Sequence, residues 1–147
     1  MNHMDTDTTV HWHGPRLENA YDGVPHETQE PIPPGGASTR RQSIRDPDVY
    51  WCHLHVRESY AQELGSYGNV IVDAGDASYW PPADRQFVFT LDDILIEDGT
   101  IAPIDPQRPN YTAIGRFANV LLVGGKPGQQ LHVGRGETVR LYLTKTV

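Results

Sequence analysis

The sequence predicts an all-β sandwich or barrel, and three observations carry that prediction. Short stretches rich in β-branched and aromatic residues recur along the chain. Turn formers separate them, with 14 glycines and 12 prolines among 147 residues, and no stretch of consequence repeats apolar residues at helical spacing. A chain of this length builds one domain with a core and is too short for two comfortable ones, so a single domain over residues 1–147 is expected.

The elements follow in order. Thr8 to His13 reads as a strand stopped by Gly14-Pro15. A long loop runs from Asp22-Gly23 to Gly35-Gly36, where closely spaced prolines disfavour helix and central strand alike. Ser38 to Ile44 alternates enough for an exposed strand, and after the turn Asp46-Pro47-Asp48 comes the most strand-like stretch of the first half, Val49 to Val56. Glu58 to Leu64 is the one short helix, leading through Gly65 and Gly68 to a strand at Asn69 to Val72. Residues 73–84, with Gly75 and Pro81-Pro82, read as a linker. Beyond it lie Gln86 to Leu91, Ile94 to Ile96, the turn Glu97-Asp98-Gly99, a Pro- and Asn-rich loop from Pro103 to Asn110, and three closing strands at Asn119–Val123, Gln130–Val133 and Glu137–Leu143.

Charge narrows the function classes. Twelve Lys and Arg against 19 Asp and Glu give a net charge of -7, which argues against nucleic acid and against an anionic membrane surface as partner. No run approaches the roughly 20 apolar residues of a membrane span, and no apolar stretch follows the first Met, so neither a span nor a secretory signal is expected in this stretch. The single cysteine, Cys52, cannot form an internal disulfide.

The seven histidines carry the chemistry, because four of them form two His-x-His pairs. In a strand, His11 and His13 share one face with Trp12 opposite, and His53 and His55 share one face with Cys52 and Leu54 opposite. Two such strands side by side place four imidazoles within reach of one metal or a small cluster, and imidazole suits copper and zinc. The remaining histidines offer less. His3 belongs to the opening Met-Asn-His-Met, His26 sits in a loop and reads as solvated, and His132 alternates with Leu131 and Val133 with no partner in sequence. Asp92-Asp93 with Glu97-Asp98 reads as a solvated acidic patch, and no nucleophile elbow or phosphate-binding glycine loop is present.

Thr9-Val10-His11-Trp12-His13-Gly14, then Asp22-Gly23-Val24-Pro25, Thr28-Gln29, Pro31-Ile32 and Tyr50-Trp51-Cys52-His53-Leu54-His55 resemble, in order and spacing, the first cupredoxin domain of laccase-like multicopper oxidases. The resemblance implies a Greek-key β-sandwich or barrel, with copper as cofactor and oxygen and a small phenolic molecule as substrates. It places His11 at the type 2 copper and His13, His53 and His55 at the type 3 pair. Asp22 matches the family's acidic residue that helps deliver protons during oxygen reduction, while on local chemistry alone it reads equally as a turn-forming Asp-Gly.

Parts of the family's plan are missing from this stretch. Two of its four His-x-His motifs are absent, including the one built around the type 1 copper cysteine. Where that cysteine's partners would fall stand Arg57 and Gln62, five and ten residues after Cys52, and Thr8, three before His11; Gln62 alone could serve as an axial ligand and neither imidazole exists, so no type 1 site is expected and Cys52 reads as a small buried hydrophobe. The strands that open a cupredoxin are also lacking before His11. Asn119 to Lys126, Leu131 to Val133 and Gly136 to Leu143 resemble the opening strands of the family's second domain. The expectation is therefore that residues 85–147 complete the 8–72 part, either in permuted strand order within the chain or by strand exchange with a neighbour.

Three functions follow as expectations. The first is an oxidoreductase without a type 1 copper, in which two or more chains of a homo-oligomer bring their half-sites together. The second is a zinc- or copper-dependent hydrolase using the same histidines, with Asp22 or Glu27 accepting the proton. The third is a non-catalytic metal-binding fragment.

Overall fold

The structure, a computed structural model, describes residues 1–102 and 115–146. Among them it is nearly all β, with one short helix and one 3-10 turn, as the turn-punctuated sequence predicts. The loop expected from Pro103 to Asn110 lies outside the described residues. The chain divides into two compact units, Met1–Trp80 and Pro81–Val147, with the division inside the 73–84 segment.

The first unit is built on an antiparallel sheet in the order β1-β2-β3, with β1 at His11–His13, β2 at Asp48–His53 and β3 at Tyr67–Val72. β1 is three residues long because Gly14, at φ +94°, turns the chain out of the ladder, with Pro15 behind it. Upstream, Thr8 forms a two-way backbone bridge with Ile32, at 3.0 and 2.7 Å. Asn2 is buried: its amide donates to the Thr6 and Ile32 carbonyls, and its backbone exchanges bonds with Gly35 and Gly36. These bonds clamp the predicted long loop along the segment that enters β1.

Between β2 and β3 lies α1, Glu58–Glu63. It has no side-chain N-cap and is entered through Arg57 in the left-handed region, and its buried contact is Ala61. Gly65, at φ +78°, ends it with Gly65 N–H donating to Gln62 O and Ser66 N–H donating to Ala61 O, the two bonds of a Schellman cap.

In the second unit β4 (Arg85–Ile94) is central, antiparallel to β7 (Val120–Val123) and parallel to β8 (Val139–Lys145). Tyr142 is its buried aromatic. β5 (Ile96–Glu97) and β6 (Thr100–Ile101) form a small hairpin whose Asp98-Gly99 turn has φ positive at both residues, as tight hairpins require.

Several strand expectations change: the strand expected over Thr8 to His13 keeps only His11–His13, and the one expected over Ile94 to Ile96 is divided between β4 and β5. Ser38 to Ile44 and Gln130 to Val133 form no strand: alternation supplies a face but no ladder partner, both segments are largely exposed, and the Gln130 and His132 carbonyls accept from side chains instead. The strand expected over Val49 to Val56 stops at His53, because the chain must turn at 54–57 to enter α1.

Gly23 governs how the 22–36 loop approaches β1. A Cβ there would lie 1.9 Å from the Val10 carbonyl oxygen, on a backbone with φ +82°. Gly65 has a similar φ but nothing within 4 Å of a Cβ. Gly65→Ala is therefore expected to cost about 1–2 kcal/mol from left-handed backbone strain. Gly23→Ala is expected to cost roughly 2 kcal/mol more, from overlap with a backbone atom that cannot yield. Thermal or denaturant unfolding of the two variants checks the order.

Candidate metal centre

β1 and β2 pair with His11 opposite His53, Trp12 opposite Cys52 and His13 opposite Trp51. Alternation then sends His11, His13, Trp51 and His53 to one face and Trp12 and Cys52 to the other. His55 lies two residues past the end of β2, and the turn toward α1 carries its ring back to the same group. Ring centroids are 5.4 Å apart for His11 and His13, 5.2 Å for His11 and His53, 4.7 Å for His11 and His55, 5.5 Å for His13 and His53, and 4.9 Å for His53 and His55. All four histidines singled out by the sequence thus come together. Trp51 walls one side, stacked on His53 at 4.3 Å and 4.9 Å from His13.

Oxygen atoms behind the rings set which nitrogen faces inward. His11 Nδ1 donates to the Asp22 backbone carbonyl at 2.8 Å, with the Asp22 carboxylate 3.3 Å away, so the fifth residue singled out by the sequence also reaches the cluster. A carbonyl only accepts, so the proton of neutral His11 sits on Nδ1 and its Nε2 lone pair is available. His53 Nδ1 has the Leu54 carbonyl at 3.3 Å, the Gln62 side-chain nitrogen at 3.3 Å and Glu58 Oε1 at 3.5 Å; His55 Nδ1 has Glu58 Oε2 at 3.3 Å. His13 Nδ1 itself faces His53 Nε2, at 3.3 Å.

Candidate ligand atoms of His11, His13 and His53 all lie within 4.8 Å of one another, as do those of His53, His55 and Glu58. Two imidazole nitrogens bound at about 2.0–2.1 Å to one tetrahedral ion stand roughly 3.3 Å apart. The 3.3 Å separation of His13 Nδ1 and His53 Nε2 matches that edge, so the donor set fits a nitrogen-ligated metal. Thiolate does not join it, because Cys52 emerges on the opposite face and burial pushes its thiol pKa up.

Burial holds His53 below the ordinary histidine range, its largest cause being desolvation, against smaller upward pulls from the Leu54 carbonyl and Glu58. It is 3% exposed. A neutral ring at this position keeps its lone pair near neutral pH.

The sequence reading misses Glu58. Its signal is faint: a carboxylate in the first turn of a helix, three residues after His55. The remaining candidates stay apart. His26 is exposed, at φ +64°, with Nδ1 3.1 Å from Glu30, and His132 is exposed, its carbonyl accepting from Arg85. A cavity of about 290 Å³ lined by residues including Arg16, Tyr21, Gln42 and Arg45 contains none of the four clustered histidines in its lining.

The profile of the multicopper oxidase family matches residues 1–77. Among curated proteins, the chain is 33% identical over 97 residues to the copper resistance protein A homolog of Pseudomonas syringae pv. tomato, covering 66% of this chain and 16% of that protein. It is 39% identical over 92 residues to the multicopper oxidase MmcO of Mycobacterium tuberculosis, covering 63% and 17%. Among solved structures, a multi-copper oxidase from Pseudomonas thermotolerans superposes with TM-score 0.87 at 27% identity, over 99% of this chain and 35% of that one. Lac15 from a marine microbial metagenome gives 0.70 at 33% identity, over 97% and 33%. The chain therefore spans about a sixth of the length of those two curated relatives. The expected cupredoxin-like all-β class is shared with these structural neighbours.

Two outcomes are expected. Cys52→Ala leaves the metal content of the purified chain unchanged, as elemental analysis would show. In the metal-free chain the depressed pKa of His53 means that the unfolded state takes up a proton first as pH falls. Its stabilising contribution is complete above the unfolded value of about 6.5 and is lost as pH drops through the folded value. Thermal midpoints measured with chelator should fall across that window, and His53→Gln should flatten the fall.

Proposed function

The chain belongs to the multicopper oxidase family, and we propose that it acts as a laccase-like copper oxidoreductase whose four imidazoles form half of a cluster completed by a neighbouring chain. What supports the reading is the convergence of His11, His13, His53 and His55 on one face, with ring nitrogens at separations a metal spans. In this reading His11 serves the type 2 position, and His13, His53 and His55 serve the type 3 pair. A two-fold axis would present the same four rings from each side, giving the eight that the family's cluster uses.

Copper bound there supplies the one-electron steps by which oxygen is reduced to water. The protein's own part is placement and protons. Asp22, partly exposed and 3.3 Å from His11 Nδ1, bridges solvent and the cluster and can pass protons inward. Trp51 stacks on His53 and covers that buried ring, while His13 stays exposed to solvent. With the Cys52 thiol on the far face, this reading has no type 1 copper, so a small phenolic substrate or another reductant must deliver electrons by direct contact with the cluster. Completion of the β1-β2-β3 sheet by residues 85–147 of a neighbouring chain belongs to the same reading, because β1 and β3 are the edges of that sheet.

A second reading rests on the oxygen atoms behind the imidazoles, an arrangement zinc sites also use. There the same histidines would hold zinc for hydrolysis.

Elemental analysis on protein whose mass in solution is fixed by light scattering separates these readings. The oxidase reading predicts about 1.5 coppers per chain in an even-numbered oligomer, three being shared by two chains. It also predicts that His11→Ala loses most of the copper while keeping its secondary structure. Zinc in place of copper supports the hydrolase, and an unchanged copper content in His11→Ala overturns the site.

A further inference from the structure

We propose that Glu58 is a positioning residue that stands against two of the imidazoles and fixes His55 with its Nε2 atom toward the metal. The inference rests on the copper-site reading and adds to it a group that the His-x-His pattern does not contain. The geometry is specific. One carboxylate oxygen of Glu58 lies 3.5 Å from His53 Nδ1 and the other 3.3 Å from His55 Nδ1, so a single side chain spans both rings. Gln62, one helical turn on, donates to Glu58 Oε1 at 3.0 Å, and the same side-chain nitrogen stands 3.3 Å from His53 Nδ1, where it competes with the carboxylate for that ring.

The local fold serves this placement. Arg57 occupies the left-handed region at φ +51°, ψ +50°, an uncommon conformation for a residue with a Cβ, and it is the residue that turns the chain from the His-x-His segment into α1. The turn puts Glu58 in the first helical position. The Arg57 guanidinium packs over the Tyr60 ring at 4.3 Å and leaves the carboxylate to the histidines.

The chemical consequence concerns tautomers. A neutral imidazole carries its proton on one nitrogen, and a carboxylate beside Nδ1 draws it there, leaving the lone pair on Nε2 for a metal. The two rings depend on Glu58 unequally. His53 Nδ1 also has the Leu54 carbonyl, an acceptor, and the Gln62 amide nitrogen, a donor, each at 3.3 Å, whereas Glu58 is the oxygen found beside His55 Nδ1 among the described residues. His55, which β2 does not hold, is therefore the ring that Glu58 secures most.

The test begins on the metal-free full chain, so that it does not depend on copper. Long-range proton–nitrogen correlation spectra, taken where the rings are neutral, report the tautomer of each histidine in wild type, Glu58→Gln and Glu58→Ala. Wild type should show His55 as the Nδ1–H tautomer. Glu58→Ala should shift His55 toward the Nε2–H form while His53 changes less, and Glu58→Gln, which keeps one accepting oxygen, should fall between. Copper affinity measured by chelator competition should drop roughly 10–100-fold in Glu58→Ala. Circular dichroism on the Gln variant guards against a folding defect. The wild-type tautomer at His55 in Glu58→Ala overturns the proposal whatever metal binds. Altered tautomers with no copper binding in wild type would instead leave the positioning role standing and overturn the copper reading.

Discussion

Register between β1 and β2 decides on which face of the sheet the imidazoles emerge. With His11 opposite His53, both His-x-His segments project toward the same side. A slip of one residue along β1 would send its two histidines to the face of Trp12 and Cys52 and leave half the donors on each side. Three residues of strand are too few to hold a register by ladder bonds alone. The first unit fixes it from outside the sheet, through the Thr8–Ile32 bridge, the buried Asn2 amide, and the close approach of the Gly23 backbone to Val10. The same approach brings the Asp22 carbonyl to His11, so the contact that sets the register also sets the ring's tautomer.

The site is a polar cluster held on a sparse core. Among the described residues the buried hydrophobic side chains are Ala61, Ala102 and Tyr142, while the first unit also buries Thr8, Thr9, Asn2 and His53. Stability near the histidines therefore leans on hydrogen bonds such as those of Asn2 and Thr8 more than on apolar area, while the buried Thr9 hydroxyl has no partner among the described residues. Oxygen atoms of Asp22, Leu54 and Glu58 line the outer side of the imidazoles, and Trp51 covers one flank. A bound metal would add to this ordering, since it binds the folded arrangement and not the unfolded chain.

Much of this was legible in the sequence, and the reason is periodicity. A two-residue repeat is the period of a strand, so paired His-x-His segments announce a common face without any knowledge of the turns between them. The turn at Asp98-Gly99 was equally readable, because few residues accept positive φ, though the short strand Thr100–Ile101 behind it was not expected. What failed was anything that depends on a partner. Ser38 to Ile44 and Gln130 to Val133 alternate like strands, yet no neighbour pairs with them among the described residues. His55 was placed with the right neighbours for an incomplete reason: the turn after β2, rather than the strand itself, carries it there. Glu58 was invisible because its role arises from a left-handed turn at Arg57, and nothing in the residue type Arg signals one.

The central claim is that four histidines from two sequence-distant segments act as one nitrogen-ligated metal site. Anomalous diffraction at the copper edge, from crystals of the copper-loaded chain, tests it most directly. The account predicts anomalous peaks within bonding distance of ring nitrogens of His11, His13, His53 and His55, with no peak at the Cys52 sulfur. Copper at Cys52, or at exposed His26 and Glu30 with the four-histidine face empty, would contradict it.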